Sequence, residues 1–148
     1  MQTDDKRFSL RIINGGRYIM INKIIEKFKL EGDTVEIPLL KRGSFNAVLK
    51  KNGILVDNLG SYSLLEWKVF EEIENLFREK GPRVLKGDAM NYKLGECGLG
   101  IDSVEGRIAY KIYNKRLGDS VYRRISSISG ILIWAGICEN EGRYLIAK

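Results

Sequence analysis

The chain contains no histidine, and that absence alone removes a large share of catalytic chemistry. Ser-His-Asp and Cys-His systems need an imidazole base, and His-ligated zinc sites need an imidazole donor. Cysteine is scarce as well. Cys97 and Cys138 are too few for an all-cysteine zinc site and lie outside any C-x-x-C pair, so free thiols in a reducing compartment are expected. The longest apolar run, Gly130 to Ile137, falls far short of the ~20 residues of a membrane span. The opening MQTDDKRFSL is polar and carries no secretory-signal pattern, so a cytoplasmic protein without a membrane partner is expected. No cofactor and no metal are expected either.

What is present is an ordinary globular composition with a basic balance. Apolar residues make up 44% of the 148, enough for a packed core, and Lys and Arg outnumber Asp and Glu by 25 to 19. The surplus is uneven. Residues 106–148 carry eight basic and three acidic side chains, whereas 61–105 carry six and nine. A basic end on a soluble chain is compatible with a polyanionic partner.

Hydrophobic spacing predicts the elements. In SLLEWKVFEEIENLFREK (63–80), Leu65, Val69, Phe70, Ile73, Leu76 and Phe77 form one stripe, with Gly81-Pro82 as the stop. RVLKG (83–87) reads as a short strand. Asp102-Ser103-Val104-Glu105 has the form of a capping box ahead of a second helix near 103–114. A third helix is predicted over 120–135, capped by Asp119 or Ser120, with Val121, Ile125, Ile128, Leu132 and Ala135 on one side. Its other side carries Arg123, Ser126, Ser127 and Gly130. ICENEGRYLIAK then reads as a hairpin turning at Asn140-Glu141-Gly142. In the first sixty residues, FSLRI, TVEIPLL and ILVDN read as strands, and Ile21–Leu30 and SFNAVLKKNG as helices. A boundary is predicted near Asn58-Leu59-Gly60-Ser61, giving a mixed α/β region (1–60) and a second unit (61–148).

From Ser63 onward the order is helix, strand, helix, helix, hairpin, which resembles the winged helix-turn-helix family of DNA-binding domains. The resemblance implies an α+β protein whose C-terminal part is a winged-helix-like three-helix module with a β-hairpin. It implies binding of double-stranded DNA without chemistry, as a transcription regulator or as the DNA-reading part of a larger assembly. The third helix would enter the major groove, with Arg123, Arg124, Ser126 and Ser127 facing bases or phosphates. Arg107, Lys111, Lys115 and Arg116 would contact phosphates, and Arg143 would sit on the wing. The alternative is a protein-interaction module, or a homodimer, using the same surface with Trp134 as an anchor.

Four rival chemistries are written in the sequence. Asp57 with Glu66-Trp67-Lys68 imitates the D…E-x-K of metal-dependent nucleases, although E-x-K here opens a helix rather than lying on a strand. Gly95, Gly98 and Gly100 imitate a phosphate loop but match no phosphate-loop spacing. Asp88, Glu96, Asp102 and Glu105 could ligate a metal, and Tyr92, Tyr110, Tyr113 and Tyr122 could stack on unpaired bases.

Overall fold

A computed structural model describes residues 18–148. The strand predicted at FSLRI lies outside the described residues. The first helix, α1 (Ile19–Glu31), buries Met20, Ile21, Ile24, Ile25 and Phe28, the stripe its spacing predicts. An antiparallel four-stranded meander follows in sequential order: β1 (Thr34–Pro38), β2 (Ser44–Lys50), β3 (Gly53–Val56) and β4 (Leu64–Glu66). Pro38 ends an edge strand, where a missing N–H breaks no ladder.

Two sequence readings fail in this sheet. SFNAVLK, predicted as helical, is β2. Phe45 and Ala47 point into the core while Ser44 and Asn46 face solvent, a period of two. Phe45 pairs with Ile37 and Ala47 with Val56, so the strand is secured on both sides. The helix predicted from Ser63 begins only at Trp67, because Leu64–Glu66 is captured by β3. Gly53 permits that pairing: a Cβ there would lie 2.2 Å from the Leu65 carbonyl oxygen. The segment around Asn58–Ser61 therefore joins two strands of one sheet.

The helix α2 (Trp67–Lys80) buries Trp67, Val69, Phe70, Ile73 and Leu76. Then come β5 (Arg83–Leu85), a long connection, α3 (Val104–Lys111), α4 (Ile125–Trp134), β6 (Cys138–Glu141) and β7 (Tyr144–Ala147). The second sheet is antiparallel in the order β5-β7-β6, so the last strand is central. The described residues thus form an α+β fold with four α-helices and two antiparallel sheets. One apolar cluster, from Met20 to Leu145, draws on both sheets and all four helices. A smaller one (Leu94, Leu99, Ala109, Val121) pins the connection between β5 and α3 onto the molecule.

The third predicted helix starts five residues late, at Ile125, with Arg124 rather than Asp119 or Ser120 at its N-cap. More importantly, it is an interior helix. Ser127, Ile128, Ser129, Gly130, Ile131 and Leu132 are all buried. A Cβ on Gly130 would lie 2.9 Å from Phe45 Cε1 and 3.4 Å from Ile37 Cγ2, so the slim side of α4 is closed by β1 and β2. The Ser127 hydroxyl donates to Asn58 Oδ1 at 2.8 Å.

Candidate nucleic-acid interface

Burial of α4 corrects the groove-reading geometry inferred from the sequence. Gly130 is small so that a sheet can approach it, Ser127 is buried against Asn58, and no base edge can reach either in this fold. Ser126 is half-buried. Arg124 is 5% exposed, its guanidinium 3.9 Å from the Tyr113 ring and 5.2 Å from those of Tyr62 and Tyr122, with Nη1 donating to the Tyr122 carbonyl at 3.3 Å. An arginine stacked among three rings and nearly dry is a structural cation.

Arg107 is corrected likewise. Its Nε donates to Glu72 at 3.0 Å, and Nη1 and Nη2 donate to Glu79 at 2.8 and 2.9 Å. These bonds, first in effect, hold the Glu79 carboxyl below its ordinary range. With its fork engaged by two carboxylates, the buried Arg107 ties α3 to α2. Trp134, the proposed partner anchor, packs edge-on against Phe28 at 4.8 Å, and its Nε1 donates to Glu31 at 3.1 Å. It staples α4 to α1.

Lys111, Lys115, Arg116, Arg123 and Arg143 are exposed. Lys111 and Arg123 act on different groups. Lys111 acts on the Glu79 carboxyl, on the α2 side of the molecule. Arg123 instead joins two cations the sequence reading missed. The Lys86 ammonium is held below its ordinary pKa first by burial, then by Arg123 and by Lys41. Its Nζ donates to Asn140 Oδ1 at 2.6 Å, and its backbone N–H donates to the Arg143 carbonyl at 2.9 Å. Lys41 comes from the β1–β2 turn, Lys86 from the end of β5, Arg123 from the extended lead into α4, and Arg143 from the β6–β7 turn. Three of these segments bring cations to one face, where Arg123 and Lys41 act on Lys86, and the Arg143 segment meets it through its backbone carbonyl. Among the described residues, none of Lys41, Lys86 and Arg123 forms an ion pair. Asp88 faces Arg123, but Asn91 occupies its carboxylate through Nδ2 at 2.9 Å and the backbone N–H at 3.2 Å.

The nuclease, phosphate-loop and metal readings do not assemble. Glu66 lies opposite Gly53 in the β3–β4 ladder, and Asp57 is four residues further along β3 and beyond, roughly 13 Å away at strand rise. Asp57 is held by Asn46 through the backbone N–H at 2.9 Å and Nδ2 at 2.8 Å, which keeps its carboxyl below the ordinary range. Glu96 accepts from the Lys93 backbone N–H at 2.7 Å. No group of three metal-ligating side chains occurs among the described residues. In the glycine loop the Tyr92 ring covers Gly98, and the Gly100 carbonyl accepts from the Ser103 hydroxyl at 2.6 Å. Compared with protein families, curated proteins and solved structures, the chain matches none, so geometry alone carries the functional reading.

Proposed function

We propose that the protein binds nucleic acid, duplex DNA, through phosphate contacts on the face formed by Lys41, Lys86, Arg123 and Arg143. The observation that carries this reading is the crowding of three cations, none in an ion pair among the described residues and one of them partly desolvated. Mutual repulsion makes such a cluster unfavourable on its own, and a bound polyanion relieves it. The order α2-β5-α3-α4-β6-β7 with β7 central supports a winged-helix-like reading, with Arg143 on the wing. The contacts would position DNA without reading base edges, because α4 serves as an internal strut.

The test is fluorescence anisotropy with a duplex of about 20 base pairs over a salt series. The double variant Lys86→Ala/Arg123→Ala should lose about tenfold or more in affinity at low salt, and its salt slope should fall by about two, one per phosphate contact removed. Lys111→Ala, on the α2 side, should match wild type. Equal affinities and slopes for the double variant and wild type would remove the proposal.

A further inference from the structure

Glu105 lies behind the cationic face, 1% exposed, at the start of α3. Its backbone N–H donates to the Lys86 carbonyl at 3.0 Å. Its Oε2 accepts from the backbone N–H groups of Arg124 at 2.7 Å and Ile125 at 3.1 Å. One residue thus grips the chain at Lys86 and again next to Arg123. The grip is tight: a Cβ on Gly87 would lie 3.0 Å from Glu105 Cβ, and a Cβ on Gly106 would lie 1.9 Å from the Gly100 carbonyl oxygen. Among the described residues Glu105 forms no ion pair. We infer that Glu105 is a positioning residue and a charge brake for the anion-binding face: it holds Lys86 beside Arg123, and its ionised carboxylate opposes a phosphate docking there. This rests on the cationic face being the binding face proposed above.

Among the described residues, the charged and titratable groups facing Glu105 are few. Arg123 and Arg124 act on it from the segment before α4, and it acts on Tyr113 just past the end of its own helix. The β5 side presents the Lys86 carbonyl and Gly87. Burial raises the Glu105 carboxyl to about 7, against the opposing effects of the two N–H donors and the two arginines. No imidazole shares that range, because the chain has no histidine. A phosphate arriving at Arg123 would raise the carboxyl further, so binding should draw a proton onto Glu105.

The experiment is duplex anisotropy at pH 6 and pH 8 with wild type and Glu105→Gln. An amide keeps an oxygen for the two N–H groups and removes the charge. Wild type should bind about fivefold tighter at pH 6, and Glu105→Gln should be flat and match, at pH 8, wild type at pH 6. A purely structural role predicts the reverse sign, with the variant weaker or unchanged and the slope retained. A flat wild-type profile, or a slope that survives in Glu105→Gln, overturns the inference and leaves the binding reading standing. Should wild type fail to bind duplex at either pH, the nucleic-acid reading falls. Inorganic triphosphate then becomes the probe, and tighter binding at pH 6 sustains the brake whereas pH-independent or absent binding ends it. Amide NMR of Arg124 and Ile125 in wild type needs no variant: no titration between pH 6 and 8 also overturns it.

Discussion

Helices α1 and α4 both begin without a capping side chain of their own, and in each case a buried glutamate from another helix supplies the cap. At α1 the N-cap is Tyr18, and Glu74 of α2 accepts from Ile19 N–H at 3.1 Å and Met20 N–H at 2.8 Å. At α4 the N-cap is Arg124, and Glu105 of α3 plays the same part. Both place negative charge where free N–H groups and the helix dipole favour it. Their surroundings differ. Arg78 Nη2 donates to Glu74 Oε2 at 2.7 Å, and Ile19 is 59% exposed, so the α1 cap is charge-balanced and close to water. The α4 cap is dry and has no ion-pair partner among the described residues. The same device is therefore architecture in one place and a stored charge in the other.

Truncation should separate the two most widely. Glu105→Ala leaves two buried N–H groups without an acceptor and opens a void, and should cost about 3–4 kcal/mol in urea unfolding. Glu74→Ala exposes N–H groups that water reaches at the open end of α1, and should cost about 1–2 kcal/mol. A larger loss at Glu74 than at Glu105 would break the comparison.

Next in size is the pH dependence of stability. The Glu105 carboxyl is raised from its ordinary 4.5 to about 7 in the folded protein, so between these values the folded state binds more protons than the unfolded one. Stability should therefore fall as pH rises through that window and level off above it, by on the order of 1–3 kcal/mol. Glu79, Asp57 and Asp88 are shifted downward, so their stabilisation is lost only on acidification through the lower carboxylate range. Urea midpoints for Glu105→Gln should lack the wild-type decline between pH 5 and 7. An identical decline in both proteins would place the proton elsewhere.

The comparison also explains what was legible in the sequence. The stripes of α1 and α2 follow from spacing alone, because each buries one side of a regular helix. The sequence SFNAVLKKNG reads as a short helix, and the pairing of Phe45 with Ile37 and of Ala47 with Val56 makes Ser44–Lys50 a strand instead. Glu105 was visible as half of a capping box on α3. In the fold, Ser103 caps α3 by accepting from Gly106 N–H at 3.1 Å, and Glu105 reaches α4, nineteen and twenty residues on. Lys41 and Lys86 were missed because they meet Arg123 only after the β1–β2 turn and the β5–β7 pairing bring them together. The face of α4 was misassigned for a physical reason. Small side chains such as Ser127 and Gly130 suit any close neighbour, and periodicity cannot say whether that neighbour is DNA or the chain's own sheet.

The smallest expected effect is the sharpest check of the contrast in charge. Arg78→Met keeps most of the aliphatic stem and removes the cation beside Glu74, leaving that carboxylate as unpaired as Glu105. The Arg78 side chain is 40% exposed, so the loss should be only about 0.5 kcal/mol at low ionic strength. It should vanish at about 0.5 M salt, where counterions screen the pair. The pH slope assigned to Glu105 should persist in the same salt, because water and ions do not reach a carboxylate buried to 1% exposure. If instead the α4 slope disappears with salt and the Arg78 effect does not, the two caps have been assigned the wrong way round. The balanced one would then be the glutamate beside the cationic face.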